Sequence, residues 1–151
     1  SKVTPIETRD YVPGDDDSEW LRVNNAAFAS HPEQGAWDQL TLDSRKKQGW
    51  FDPSGFRILE IDNKMRGFCW TKIHADTSPV MGEIYVIGVA PGEAGKGLGA
   101  ALTVDGLQSI FSRGVSVGML YVDADNEPAM RMYTNLGFKL HRTDVAFVGD
   151  F

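Results

Sequence analysis

Apolar residues along the chain follow two spacings, a strand-like period of two and a helix-like period near 3.6. Short apolar or alternating runs predict the strands, and Asp62-Asn63-Lys64 is expected to join two of them in a hairpin. The run from Met81 becomes apolar at both parities, which is typical of a strand buried on both faces. The predicted strands cover Val3–Thr8, Phe56–Ile61, Met65–His74, Met81–Val89, Val117–Val122 and a pair within Phe138–Val148.

Helical spacing separates these strands. The acidic run Asp15–Ser18 is expected to cap a first helix that ends near Ser30, and Trp37–Gln48 is predicted as a second. The third helix is predicted over Gly97–Phe111, and the fourth is capped at Asn126 and ends near Leu136. The predicted core stripe of the third helix is Ala100, Val104, Leu107 and Phe111. Strands alternating with helices indicate an α/β fold with a mixed sheet flanked by helices.

Length and charge restrict the function. A chain of 151 residues predicts one domain, and a net charge of −6 gives a nucleic-acid partner no electrostatic support. The longest apolar run, Ile84–Ala90, is too short to predict a membrane span. One cysteine, Cys69, excludes an internal disulfide and fits a cytoplasmic location. The three histidines are far apart, so no metal site is expected.

A glycine-rich turn follows the most apolar strand. Four glycines occupy eight positions between Gly92 and Gly99, where backbone amides at a helix N-terminus can converge on an anion, and Lys96 adds a positive charge. Gly97 follows the lysine where a triphosphate-binding loop needs Ser or Thr, and the glycine spacing does not match a dinucleotide fingerprint. We expect a pyrophosphate site, with tight strand-to-helix packing as the alternative.

A carboxylate opens the same strand. Burial at the start of an apolar strand would make Glu83 a better base, and alternation would place it on one face with Tyr85 and Ile87. The alternative is a solvated glutamate at a strand end.

Two blocks of sequence together are similar to the GNAT family of acetyltransferases. The first runs from Val89-x-Pro91 to Gly97-x-Gly99, and the second is Asn126-x-x-Ala129-x-x-x-Tyr133-x-x-Leu136-Gly137-Phe138. The resemblance covers nearly the whole chain and implies the GNAT fold, a mixed, mostly antiparallel twisted sheet flanked by helices. It also implies acetyl-CoA as the cosubstrate.

The resemblance assigns residues to that cosubstrate. It implies that Ile87, Gly88 and Val89 contact the pantetheine arm, with Asn126 and Ala129. It implies that the phosphates are bound by Ala94, Gly95, Lys96, Gly97, Leu98, Gly99 and Ala100. Ala94 stands where the family usually has Gln or Arg, so weaker cosubstrate binding is expected.

The resemblance also implies a catalytic acid. Tyr133 stands at the family's general-acid position, where a phenol can protonate the departing thiolate, and Glu83 would be the base. The alternatives are a core aromatic for Tyr133 and a simple helix cap for Asn126.

A narrower resemblance is carried by Leu21–Phe28, His31–Gly35, Trp50–Pro53, Gly67–His74 and Gly82–Val89. These blocks resemble the catalytic C-terminal half of the mycothiol synthase family, which are tandem-GNAT enzymes. The resemblance implies acetylation of a cysteinyl α-amine on a small cysteine–glucosamine–inositol thiol. It assigns substrate contacts to Glu33, Lys72, Glu83 and Tyr121. The missing initiator Met fits a fragment whose parent chain would supply an N-terminal GNAT domain as partner.

Three other functions remain open at this point. The chain is predicted to be an acetyltransferase for this thiol, but a GNAT enzyme for another amine would keep the glycine turn and Tyr133. A silent domain would bind acetyl-CoA without turnover, and a purely structural module would not bind it.

Overall fold

The computed structural model describes residues 3–123, 125–140 and 146–150. Residues 141–145 of the predicted final strand pair lie outside this range. None of the helices within the described ranges combines the length and the apolar character needed to cross a membrane. The helices are α1 (Asp17–Ala27), α2 (Gln39–Lys46), α3 (Leu98–Ser112) and α4 (Glu127–Asn135). The strands are β1 (Arg9–Asp10), β2 (Phe56–Ile61), β3 (Lys64–His74), β4 (Met81–Val89), β5 (Val117–Tyr121), β6 (Lys139–Leu140) and β7 (Ala146–Asp150).

The strands form one sheet in the order β1-β2-β3-β4-β5-β7-β6, and β4 and β5 are parallel. Every other described neighbouring pair is antiparallel. The expected α/β class and the mixed, mostly antiparallel sheet are confirmed. The parallel ladder runs from Met81 opposite Val117 to Ile84 opposite Leu120, although β4 continues five residues further to Val89.

Each face of the sheet has its own hydrophobic core. Helices α1 and α2 cover one face, where Trp20 and Trp70 are fully buried in a cluster of aromatic rings. Helices α3 and α4 cover the other face, where Leu102, Ile110 and Tyr133 are buried. We call these the α1/α2 face and the α3/α4 face. Burial on both faces explains why β3 and β4 are apolar at both parities.

The predicted bounds of β2 and β4 are confirmed residue for residue. The prediction of a strand over Val3–Thr8 is wrong, because the first strand is Arg9–Asp10, which pairs with the free edge of β2. Helix α1 does begin in the acidic run, but the side chain of Asp16 makes no capping hydrogen bond to the described residues. Instead its Oδ2 accepts a hydrogen bond from the amide of Val12 at 2.7 Å.

The predicted buried stripe of α3 is wrong by about one residue. Phe111 is 63% exposed, whereas Leu102 and Ile110 are buried. The helix packs through small residues, since a Cβ on Gly106 would lie 2.4 Å from the sulfur of Cys69. The side of the helix that is buried is therefore the one whose small residues allow close approach to the sheet, and not the side with the most apolar residues.

A β-bulge interrupts β4. Trp70 lies opposite Val86, whereas the next residue of β3 lies opposite Ile84. Tyr85 is therefore the extra residue of the bulge. Since a bulge adds one residue to one strand, the alternation of side chains reverses beyond it.

The bulge changes which residues share a face with Glu83. A Cβ on Gly82 would lie 2.4 Å from Ile110 of α3, so the next residue, Glu83, points to the α1/α2 face. Tyr85 packs on that same face, but Ile87 packs in the core of the α3/α4 face. The predicted shared face is confirmed for Tyr85 and wrong for Ile87.

Candidate active site

The glycine turn between β4 and α3 presents open backbone. After a short 3-10 turn at Pro91–Glu93, Gly95 and Gly97 adopt φ angles of 81° and 76°. A Cβ on either glycine would have no other described atom within 4 Å. These glycines are thus required by backbone conformation and not by close packing, which argues against the packing-only interpretation.

The turn ends at the N-terminus of a long helix. Gly97 is the N-cap of α3, no described side chain caps it, and the Ala101 amide makes the first intrahelical bond, 3.2 Å from the Gly97 carbonyl. Amides that precede this bond lack intrahelical partners and lie at the positive end of the helix dipole. The residues present therefore fit a diphosphate, which needs converging N–H donors and room for close approach.

An ion-pair network holds the glycine turn in place. The buried carboxylate of Glu93 lies 2.9 Å from Lys96 Nζ and 3.6 Å from Arg66 Nε. The amide of Ala94, at the unusual position of the motif, donates to the Pro91 carbonyl at 3.3 Å. Ala94 therefore contributes to the turn itself, and its predicted phosphate contact stays a prediction.

A cleft opens where β4 and β5 separate. It begins beyond Ile84 and Leu120, the last residues of the parallel ladder, and has a volume of about 410 Å³. Predicted site residues from three elements line it: Ile87, Tyr121, Asn126, Ala129 and Tyr133. Because the two strands separate there, a ligand in an extended conformation can reach the free backbone edge of β4. The glycine turn follows directly at the end of that strand.

Helix α4 closes one side of the cleft. The Asn126 side chain caps it by accepting a hydrogen bond from the Ala129 amide at 3.3 Å, which confirms the predicted N-cap. Tyr133 is 7% exposed, and its ring lies 5.8 Å from that of Phe138 in an edge-on contact. Burial raises the pKa of the Tyr133 phenol to about 12. Tyr133 is therefore a core aromatic that also lines the cleft and keeps its phenol protonated at neutral pH.

Glu83 lies apart from this lining. Its side chain is buried on the α1/α2 face, directly across the ladder from Lys72, and Oε1 lies 2.7 Å from His74 Nε2. Of the described residues that line the cleft, none is Glu83. The interpretation as a solvated strand end is wrong, because the residue is only 7% exposed. Its role as base stays a prediction.

Aromatic rings link Lys72 to the cleft. The Lys72 ammonium lies 4.8 Å from the centre of the Trp50 ring and 5.7 Å from that of Tyr85. Arg45 Nε donates to the Tyr85 hydroxyl at 3.0 Å. The sequence analysis did not assign Tyr85, Arg45 or Trp50 to the site. Tyr85 could have been suspected, since it is the polar-tipped residue two positions after Glu83.

Glu33 lies in a second cavity beside the first. This cavity has a volume of about 310 Å³ and is lined by Glu33, Arg45 and Tyr85, among others, and Tyr85 also lines the cleft. The predicted substrate residues Glu33 and Tyr121 thus line two cavities that share Tyr85. This arrangement can present charged and phenolic hydrogen-bonding groups to a polar molecule.

Two asparagines of α1 fix the loop that carries Glu33. The fully buried Asn24 donates to the Gln34 carbonyl at 2.8 Å and accepts from the Gln34 side chain at 3.0 Å. Asn25 forms a similar pair with the backbone of Trp37, at 2.9 and 3.2 Å. The sequence analysis missed these positioning residues, although adjacent asparagines within a predicted helix were a signal.

Comparison with known proteins agrees with this geometry. The profile of the acetyltransferase (GNAT) family matches residues 19–138. The chain is 51% identical over 142 residues to a mycothiol acetyltransferase of Streptomyces avermitilis, covering 94% of this chain and 46% of that protein. It is 50% identical to a mycothiol acetyltransferase of Streptomyces coelicolor, with 94% and 45% covered. The chain thus spans about half the length of the curated relatives it matches.

Solved structures share the fold. The PaiA N-acetyltransferase of Thermoplasma acidophilum, solved in complex with coenzyme A, superposes with a TM-score of 0.73. The match covers 98% of this chain and all of that one at 18% sequence identity. At this level of identity the likeness concerns the fold alone.

Proposed function

The chain belongs to the GNAT family of acetyltransferases, and we propose that it acetylates the cysteinyl α-amine of desacetylmycothiol with acetyl-CoA to give mycothiol. The acceptor is a thiol built from cysteine, glucosamine and inositol. The observation that carries the proposal is 51% identity, over 94% of this chain, to a mycothiol acetyltransferase.

Acetyl-CoA supplies the acetyl group, and this chain's part is to hold it. Support comes from the open amides between Gly95 and Ala100 for the pyrophosphate and from the free edge of β4 at Ile87, Gly88 and Val89 for the extended arm. Lys96 would add charge to this site, although Glu93 already partly neutralises it. Backbone amides would therefore supply most of the binding.

Glu83 is proposed to take the proton from the acceptor nitrogen. An α-amine has a pKa near ~7.7 against ~10.4 for a lysine, a difference of roughly 4 kcal/mol in deprotonation, so a modest base suffices. A base within the protein but not on the cleft surface would act through water. The burial of Glu83 directly across the ladder from Lys72 supports a carboxylate held in a fixed place on the α1/α2 face.

Tyr133 is proposed to protonate the departing thiolate. The residue lines the cleft, and its raised pKa of about 12 keeps the phenol protonated throughout the neutral range. Asn126 at the head of the same helix would contact the arm through its amide N–H₂, because only its oxygen is used in the cap.

The acceptor would lie on the α1/α2 side of the cleft. Glu33, Lys72, Glu83 and Tyr121 are the proposed contacts, and they supply charged and phenolic partners for hydroxyl-rich rings. Support comes from Tyr85, which lines both cavities and lies within 5.7 Å of the Lys72 ammonium. The two adjoining spaces can accommodate an elongated acceptor.

The proposal extends to the parent protein and its location. We infer that the chain is one domain of a tandem-GNAT protein, because it spans 46% and 45% of two relatives. The other domain would then be an intramolecular partner. We propose a cytoplasmic location, because acetyl-CoA is the cosubstrate and Cys69 is a free, buried thiol.

Three measurements on the full-length protein test this function. Calorimetric titration with acetyl-CoA should show binding, which a purely structural module would not give. Release of CoA should then require the cysteine–glucosamine–inositol thiol and be slow with polyamines, amino sugars and peptide N-termini. Glu83→Gln and Tyr133→Phe should lower turnover but not cosubstrate affinity. Binding with unchanged turnover in both variants would contradict the catalytic assignment, and binding without any turnover would identify a silent domain.

A further inference from the structure

We propose that His74 passes the proton taken up by Glu83 out to solvent, which makes it a positioning and proton-relay residue of the acetyl transfer. The inference rests on the proposed function, since it requires a reaction that releases a proton at Glu83. It rests on the contact between Nε2 of His74 and Oε1 of Glu83 at 2.7 Å. The sequence analysis gave His74 no role.

The backbone fixes this contact. His74 is the last residue of β3, its partner in the ladder is Met81, and Glu83 lies two positions further along β4. The carbonyl of His74 accepts a hydrogen bond from the Thr77 hydroxyl at 2.9 Å, which holds the start of the following turn. Strand register therefore brings the imidazole to Glu83. The Thr77 hydroxyl binds only the backbone of the following turn, where the Thr77 amide reaches the same carbonyl at 3.5 Å.

Exposure decreases from the imidazole to the carboxylate. The side chain of His74 is 25% exposed, whereas that of Glu83 is 10% exposed. Each acetyl transfer to an amine leaves one proton on the base, and a buried carboxylate must lose it before the next turnover. An imidazole can accept this proton at Nε2, release the one on Nδ1 to water and return to its starting tautomer by proton exchange with water. The Tyr133 phenolate left by protonation of the thiolate takes its proton back from water, so no charge accumulates over the turnover.

The charges around the pair suit this transfer. Lys72 lies directly across the ladder from Glu83, and its ammonium is itself held over the rings of Trp50 and Tyr85. A simpler account would make His74 only an ion-pair partner that keeps Glu83 folded in place. The two accounts differ in whether a soluble proton carrier can replace the imidazole.

His74→Gln separates them. Glutamine keeps an N–H donor for Glu83 but cannot carry a proton, so we expect kcat to fall about tenfold or more in dilute buffer with KM nearly unchanged. Added imidazole should restore the rate in proportion to its concentration, in His74→Ala most of all. Thr77→Val is the matched control: it removes a hydrogen bond from the same turn but should keep a normal rate and show no response to imidazole.

Two results would overturn the relay. One is a normal rate for His74→Gln in dilute buffer, and the other is a lowered rate that imidazole does not restore. The assay measures CoA release with whichever amine the wild-type protein acetylates. Transfer to a different amine would overturn only the proposed acceptor, and absence of any transfer would overturn both proposals. The thermal midpoint of His74→Gln should match that of the wild type, which excludes loss of fold as the cause.

Discussion

The proposed cosubstrate side and the proposed acceptor side of the site both adjoin β4 but are built differently. Backbone forms the cosubstrate side: glycines with positive φ angles, a helix N-terminus and a free strand edge. Side chains from α2, β3, β4 and the loop after α1 form the acceptor side, including Arg45, Lys72 and Glu33. A backbone site tolerates many side chains, whereas a side-chain site depends on each contact.

This difference explains how both sides relate to the family. Ala94 replaces the usual Gln or Arg, yet the surrounding turn keeps its open conformation. The acceptor side has no such tolerance, because its groups are positioned by partners far away in sequence, as Asn24 positions Gln34. Variants on the cosubstrate side should therefore change the affinity for acetyl-CoA, whereas variants on the acceptor side should change the KM for the acceptor.

The largest expected effect is on the acetyl-transfer step, which would take place where the two sides meet. Tyr133→Phe removes the proposed acid and should lower kcat about 100-fold with little change in either affinity. Pre-steady-state measurement of CoA release will show whether the chemical step is the one affected. A variant with normal kcat but weak acetyl-CoA binding would place Tyr133 in the backbone-built side instead.

The cosubstrate side should be broken by a side chain in the turn. Gly97→Val forces a residue into the left-handed region at a cost of about 1–3 kcal/mol, which corresponds to about 5- to 150-fold in acetyl-CoA affinity. Gly14→Val is the control, because Gly14 also has positive φ, at 87°, and open space around its Cβ, but lies far along the chain from the turn. Equal loss of affinity in both would show a general effect of strain.

Titration of Tyr133 should weaken the fold at high pH. Its pKa is raised from 10.0 to about 12, so the folded protein holds the proton more tightly than the unfolded chain does. The free energy of unfolding should fall between pH 10 and 12, by about 2–3 kcal/mol from this group, and be unaffected by it below pH 10. Urea unfolding of Tyr133→Phe should show a correspondingly smaller decline, and an identical decline would contradict the burial of the phenol.

The acceptor side should depend on the fixed loop. Asn24→Leu keeps the number and branching of the side-chain heavy atoms but leaves the Gln34 carbonyl and side chain without their partner, which should cost about 1–3 kcal/mol in stability. The KM for the acceptor should rise, while the affinity for acetyl-CoA stays the same. A change in acetyl-CoA affinity instead would mean that the two sides are not independent.

The smallest effect is expected at Lys96. Its ammonium is exposed and paired with Glu93 at 2.9 Å, so Lys96→Met should weaken acetyl-CoA by only about two- to threefold. This loss should shrink in high salt, as measured by calorimetry at two ionic strengths. A loss as large as that of Gly97→Val would show that charge, and not backbone, dominates the cosubstrate side.

Local signals in the sequence predicted much of the fold. The bounds of β2 and β4 follow from apolar runs that turn residues interrupt, and the cap of α4 follows from Asn126 and the proline after Glu127. The buried side of α3 could not be predicted, because close packing of Gly106 on Cys69 is set by a strand far away in sequence. Tertiary packing, and not helical spacing alone, decided that face.

The site was predictable to the same extent. The glycine turn, Asn126 and Tyr133 belong to continuous motifs, and the structure places them around one turn and one cleft. The bulge at Tyr85 was not visible in the sequence, so Ile87 was assigned to the wrong face. No local sequence pattern predicts the contact of His74 with Glu83 or the loop held by Asn24, because both depend on the complete fold.

Analysis of the reaction product shows whether the protein transfers acetyl to the cysteinyl amine. The full-length protein is incubated with acetyl-CoA and the cysteine–glucosamine–inositol thiol, and the product is analysed by mass spectrometry together with thiol titration. We expect one added acetyl group on nitrogen, a free cysteinyl thiol and one CoA released per product. Bound acetyl-CoA with no acetylated product would contradict this expectation.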